Sequence, residues 1–217
     1  MLSVVIPTLN AAAHLPACLE RMAAADELVV VDGGSADTTA AIASEAGAHL
    51  LVAPKGRGSQ LRAGGQAARG DWLLFLHADT LPGRRWREAV AAHVAGSGKA
   101  ACFRFGLADR AWQARAVERA VAARVAWLGL PYGDQGLLIS RRLYDEVGGY
   151  RPLPLMEDVD LVRRIGRRRL AVLDEAAWTS AERWRRDGWL RRPVRNLLCL
   201  GLYAFGLPPE RIARFYA

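Results

Sequence analysis

The chain has 217 residues, enough for one generous domain or two very small ones. With 52% hydrophobic and 24% charged residues, it has ample apolar material to offset chain entropy, which excludes disorder for its bulk. Thirty Lys and Arg against 22 Asp and Glu leave a net charge of +8, and only Lys55 and Lys99 among the basic residues are not arginine. That bias suits phosphates, nucleic acid or an acidic membrane surface, and equally follows from a GC-rich genome.

Leu2–Ile6 is a β-branched run stopped by Pro7, the mark of a short buried strand. Leu15, Cys18, Leu19 and Met22 predict a helix over 13–24. Glu27–Val31 reads as a second strand, Asp32-Gly33-Gly34-Ser35 as a turn, and Asp37 as the cap of a helix over Thr38–Glu45. A third strand at His49–Val52, a loop at 56–58, a helix over 59–68, a fourth strand at Trp72–Leu76 and a helix over 83–95 follow. The second half reads as a strand at Ala101–Leu107, an Ala/Arg helix over 109–128, and a turn and strand within 133–140. A helix from near Glu157, a strand at Leu170–Leu173 and a helical tail from Gly188, broken at Pro208-Pro209, complete the chain. The alternation predicts an α/β fold, a mainly parallel sheet flanked by helices, in one domain over 1–217. Ligands of such sheets bind at the carboxyl ends of strands. Thr8 with Asn10, Asp32, Arg57 with Arg62, and Asp79 all fall there.

Cys18, Cys102 and Cys199 form no CxxC pair, which argues against a disulfide scaffold and for a reducing compartment. The apolar run at Leu2–Ile6 is too short for a signal peptide, and no stretch of about 18 apolar residues is present to span a bilayer. A cytoplasmic protein is expected, with peripheral membrane contact through the arginine- and leucine-rich segment after Gly188 as one option. Packing of that segment on the core, or on the partner subunit of a homodimer, is the other.

Asp79 directly follows an apolar strand, where a carboxylate can hold Mg²⁺ or Mn²⁺ against a diphosphate; the plain alternative is a helix cap. His77 is either a second ligand or structural. Asp32, ahead of Gly33 and Gly34, can accept a bond from a uracil imide or a ribose hydroxyl, or can simply close an Asx-turn. Glu157 and Asp158 suit the positive end of a helix dipole, and one of them is a candidate general base. Arg183 can clamp a phosphate and Trp184 can stack on a sugar, whereas Arg185, Arg186, Arg191 and Arg192 read as a solvated face.

These motifs together resemble the family 2 glycosyltransferases, with the GT-A nucleotide-sugar fold. Ser3–Asn10 looks like the family's opening strand, Val30–Thr39 like its nucleotide motif, Phe75–Asp79 like its metal motif and Glu157-Asp158 like its acidic pair. More narrowly, Gly56–Gln60, Leu76–Thr80, Gly133–Gly136 and Pro154–Asp158 resemble a bacterial subgroup described as arsenosugar-biosynthesis or radical-SAM/selenodomain-associated glycosyltransferases. The resemblance implies an inverting transfer of one sugar from a nucleotide-diphosphate donor to a small or lipid-linked acceptor, with a divalent cation. Residues 1–98 would bind the donor, 99–187 would hold the acceptor and the catalytic pair, and 188–217 would form a helical appendage.

Residue by residue, Pro7, Thr8, Asn10, Gly33 and Ala78 would line the nucleotide pocket and Asp32 would read the base. Asp79 would bind the cation, and Arg57 would help neutralise the leaving diphosphate. His77 stands where the family's first metal Asp is common, and Arg62 stands where an Asn is common and would meet phosphate. Asp158 would be the base beside Glu157. Asp134, Gln135, Arg183 and Trp184 would lie near acceptor and diphosphate, with Ser180 in place of the Gln of the family's last motif. Other readings weighed are a degenerate nucleotide-sugar-binding protein, a nucleotidyltransferase, a dinucleotide oxidoreductase and a nucleic-acid binder. The first strand lacks the Gly-rich, Arg-bearing loop of the second and the GxGxxG of the third, and no nucleic-acid reading motif is present.

Overall fold

The computed structural model describes residues 1–189 and 191–216, without the side chains of Arg183, Asp187, Arg192 and Tyr216. Strands β1 (Leu2–Thr8), β2 (Glu27–Asp32), β3 (His49–Val52) and β4 (Trp72–Phe75) pair in parallel in the order β3-β2-β1-β4. Helices α1 (Leu15–Met22), α2 (Thr39–Glu45) and α3 (Arg57–Ala67) connect them. The period of two along β1 sends its side chains into two apolar layers. Leu2, Val4 and Ile6 join Val30, Leu74, Leu15 and Trp86 on one face, and Val5 joins Val29, Val31, Phe75, Leu61 and Leu161 on the other.

Pro7 does not end the first strand. It pairs with Val31 inside β1, while the β4 register stops at Val5, so the missing N–H falls where no strand needs it. Helix α3 starts at Arg57, two residues before the predicted start. Gly58 makes that possible, because a Cβ there would stand 2.5 Å from the Arg151 carbonyl oxygen.

The remaining strands make the sheet mixed. β7 (Leu137–Ser140) runs antiparallel to both β4 and β6 (Ala100–Leu107), β8 (Leu170–Thr179) runs parallel to β6, and β5 (Thr80–Pro82) closes the far edge antiparallel to β8. Among the described residues four strand pairs are parallel and three antiparallel. β5 was not predicted: three residues cannot show a period, and Pro82 is tolerated only because β5 is an edge. β8 runs ten residues rather than four. The register shift opposite Cys102 and Arg104 breaks its alternation, so Asp174-Glu175 read as an end when they are a bulge.

α4 (Trp86–Gly96) and α5 (Trp112–Leu128) flank β6 in the chain, and α6 (Arg141–Glu146), also unpredicted, follows β7 with the Ser140 hydroxyl accepting from Leu143 N. α7 (Glu157–Ile165) packs near α3, α8 (Glu182–Asp187) follows β8, and α9 (Arg191–Ala204) and α10 (Pro209–Tyr216) complete the fold. The three cysteines are buried and unpaired. No helix among the described residues is long and apolar enough to cross a membrane.

Candidate active site

The carboxyl ends of β1, β2 and β4 meet the amino end of α3. Pro7 and Thr8 at the end of β1 with Asn10 beyond it, Lys55 to Arg57 before and into α3, and His77 to Asp79 after β4 line one concavity. A second hollow is lined by Tyr132 to Asp134, Met156, Asp158, Thr179, Glu182 and Trp184, among others. His14, Arg57, His77 and Asp79 line both, so the two form one continuous cleft.

The two halves are stitched at a close contact. A Cβ on Gly133 would stand 2.5 Å from His77 Nε2, so the imidazole lies directly against that backbone. The Gly133 N–H in turn donates to Asp158 Oδ2 at 2.8 Å. The antiparallel register of β7 on β4 produces this: Leu137 opposes Phe75, which brings the 133–135 turn beside His77. Two residues far apart in the chain, Asp79 and Asp158, thereby face the same cleft.

Asp158 owes its position to Met156, one of two non-glycine residues with positive φ (64°) among the described residues; Asn10 is the other (50°). Backbone strain of this kind costs about 1–2 kcal/mol for a residue such as Met and persists only where packing holds it. Here it turns the chain so that Glu157 and Asp158 open α7 with divergent side chains. Asp158 reaches the cleft, whereas Glu157 is only 2% exposed, pairs with Arg57 (Nε to Oε1 3.0 Å) and is no part of the cleft wall. Its Oε2 meets no hydrogen-bond donor among the described residues.

Burial pushes the Glu157 carboxyl up to about 7; the half-exposed Arg57 opposes this and neighbouring Asp158 adds to it. Since its folded value lies above its ordinary 4.5, Glu157 contributes stability that is fully present below pH 4.5 and lost as pH rises through about 7. In urea melts across that range, wild type should lose up to ~3 kcal/mol relative to Glu157→Gln. Parallel pH curves for the two proteins would show that this carboxyl is not the source.

The other predicted residues divide. Thr8 is buried and donates to Asp32 Oδ1 at 3.0 Å. Asp32, 4% exposed, also accepts from Ser35 Oγ, Ser35 N and Gly34 N. Burial alone would raise its pKa, but these bonds outweigh it and hold the carboxyl below its ordinary value. Asp32 therefore closes an Asx-turn and lies behind the cleft wall rather than on it. Gly33 packs against Gln60, whose amide donates to the carbonyls of Thr8 (2.7 Å) and Val31 (2.8 Å) and ties the ends of β1 and β2. Asn10 Oδ1 accepts from Ala36 N, and Asn10 N donates to Ser35 Oγ, so this loop and the turn hold each other.

Arg62 lies on the exposed side of α3, away from the cleft, because it is five residues from Arg57 and a helix turn takes 3.6. Gln135 is 2% exposed and donates to the Phe103 carbonyl at 3.0 Å, a structural bond that takes it out of the cleft wall. Trp184 reaches the cleft but is 7% exposed, packs with Phe105 and Leu107, and stacks on Trp189. The side chain of Arg183 lies outside the described residues. Arg185, itself exposed, pairs with the nearly buried Asp109 carboxylate at 2.7 Å.

Sequence reasoning missed His14, Tyr132, Thr179 and Asn196 as cleft residues. They come from a helix start, a loop, a strand end and a distant helix, with no shared spacing to reveal them. Tyr132 carried one hint, an Arg124 guanidinium 3.4 Å over its ring, but the pairing is set by the loop between them.

Residues 3–152, well over half of the chain, match glycosyl transferase family 2. The chain belongs to this family. It is 44% identical over 90 residues to the PGL/p-HBAD biosynthesis glycosyltransferase of Mycobacterium tuberculosis, a match covering 36% of this chain and 35% of that protein. It is also 40% identical over 78 residues to an uncharacterised glycosyltransferase of the same species, covering 36% of each. The matches thus span about a third of these relatives' length. Among solved structures, Mycobacterium tuberculosis glucosyl-3-phosphoglycerate synthase, in complex with Mn²⁺, UDP and glucosyl-3-phosphoglycerate, superposes with a TM-score of 0.59 at 22% identity, over 83% of this chain and 70% of that one. S. aureus TarS superposes with a TM-score of 0.67 at 18% identity, over 97% of this chain and 68% of that one. At these identities the two structures show a shared fold. The family is one of glycosyltransferases.

Proposed function

We propose that the chain transfers one sugar, with inversion, from a nucleotide-diphosphate donor to an acceptor hydroxyl, using a divalent cation. The observation that carries this reading is the convergence of Asp79 and Asp158 on one cleft through the His77–Gly133 contact. The nucleoside lies along Pro7–Asn10 and Ala78, with Asp32 fixing the turn behind it. Residues 1–98 hold the donor, 99–187 the acceptor side, and both share one sheet.

The donor set at Asp79 fits a hard cation. One carboxylate, with His77 nearby, matches Mg²⁺ or Mn²⁺ completed by diphosphate oxygens, whereas an all-protein cage would need three or more ligands, and none is found among the described residues. Bound there, the cation supplies charge neutralisation for the leaving diphosphate. The protein's own share is Arg57, at the cleft junction and braced by Glu157, which faces the same developing charge. Asp158 takes the proton from the acceptor hydroxyl as its oxygen bonds to the anomeric carbon and the carbon–phosphate oxygen bond breaks. Its bond from Gly133 N–H aims the carboxylate into the cleft.

The acceptor is a small or lipid-linked alcohol. The narrower likeness to the arsenosugar-biosynthesis subgroup rests on Gly56–Gln60, Leu76–Thr80, Gly133–Gly136 and Pro154–Asp158. A thermal-shift screen of nucleotide sugars, with and without Mn²⁺, tests the reading. At least one donor should raise the melting temperature, more so with Mn²⁺. No stabilisation by any nucleotide sugar would overturn it, and binding without turnover would leave a degenerate binding protein.

A further inference from the structure

Helix α9 carries two apolar faces where a surface helix needs one. Its inner face buries Cys199, with Leu200 and Tyr203, against Leu155, Met156, Val159 and Ile212. The Tyr203 hydroxyl donates to Asp160 at 3.3 Å, and Arg163 lies over its ring, so this face is anchored to α7. Its outer face presents Val194, Leu197, Leu198 and Leu202, continued by Phe205, at spacings of three and four and 38–94% exposed. Phe215 of α10 is 74% exposed. From Gly188 onward the sequence holds five arginines, and Glu210 is its one acidic residue.

We propose that the outer face of α9, with α10, seats on an anionic lipid surface. Leucine and phenylalanine among arginines, on helices too short and too polar to cross a bilayer, are the composition of an interfacial element. A second copy of the chain fits less well, because a two-fold contact would bring the exposed Arg191, Arg211 and Arg214 of these helices toward their own copies. The seating has a consequence for the cleft. Asn196, on α9 itself, lines it, so a bilayer under α9 lies roughly one helix diameter, ~10 Å, from the acceptor side.

Flotation of the full chain with vesicles of phosphatidylcholine alone, or with phosphatidylglycerol added, tests this. Wild type should float with the anionic vesicles and not the neutral ones, with the bound fraction falling several-fold at high salt. Leu197→Glu with Leu198→Glu should reduce partitioning at least ~10-fold. Phe205→Ser, at the most exposed of these positions and so without structural cost, should reduce it ~3-fold or more. Unchanged melting temperatures keep loss of folding from mimicking the effect. Failure of wild type to float, equal binding to both vesicle types, dimerisation through this face without flotation, or wild-type binding by Phe205→Ser overturns the proposal. Flotation reads binding without turnover, so its outcome is independent of the transfer chemistry.

Discussion

Replacing Asp158 with asparagine should lower turnover roughly 10³-fold and leave donor affinity unchanged. The substitution is nearly isosteric, and the amide oxygen can still accept from Gly133 N–H, so the turn at 133–135 and the start of α7 keep their places. The ability to take a proton is lost, together with the bond that Oδ1 accepts from Val159 N–H at 2.7 Å. In the proposed reading the donor lies along Pro7–Asn10 and the residues after β4, a hollow whose lining does not include Asp158. Single-turnover kinetics beside a direct donor titration separate the two effects. Turnover within a few-fold of wild type would remove Asp158 from the base role, and a matching loss of donor affinity would make it a binding residue. Glu157→Gln gives the internal contrast. Its carboxyl is walled off and paired with Arg57, so it should act on stability and on Arg57 rather than on proton transfer.

Asp79→Ala should abolish the Mn²⁺-dependent part of donor binding. With donor at a hundred times its dissociation constant, binding stabilises a protein by about 2.7 kcal/mol. For a chain of this size that is a rise in melting temperature of roughly 5–10 °C. The variant should show the same small shift with and without Mn²⁺, while its unliganded melting temperature stays near wild type because Asp79 is a half-buried residue at the cleft edge. A full Mn²⁺-dependent shift in Asp79→Ala would move the cation elsewhere, with His77→Ala the next variant to measure.

The first four strands and their helices were legible because each is a local statement. Val4-Val5-Ile6 and Leu28–Val31 are β-branched or aliphatic runs with turn residues at their ends, and the parallel order follows from alternation with helices. β5 and the last six residues of β8 were not legible. Their pairing is with each other and with β6, and a bulge removes the period that would have marked them. The same division holds at the site. Asp79 and Asp158 could be picked out because a carboxylate at a strand end or helix start is visible locally. Arg62 and Gln135 line neither hollow, because whether a side chain faces a cleft depends on helix phase and on the neighbour it packs against.

The sequence by itself determined the class of chemistry: strand-end carboxylates, a Gly-bounded turn and an acidic pair suffice to mark a family whose members handle nucleotide sugars. Tertiary structure decided which groups share the work. Asp32 became a turn brace because four donors converge on it, and Glu157 became the brace of Arg57 because Met156 turns it inward. Asp158 came to line the same hollow as Asp79 because β7 runs antiparallel on β4. A sequence records which groups are available, whereas burial and opposing backbone, which set whether a carboxylate meets solvent or a protein donor, exist only once distant segments have packed. The basic residues divide in the same way: Arg57 lines the cleft beside Glu157, while Arg191, Arg211 and Arg214 are exposed on the last two helices.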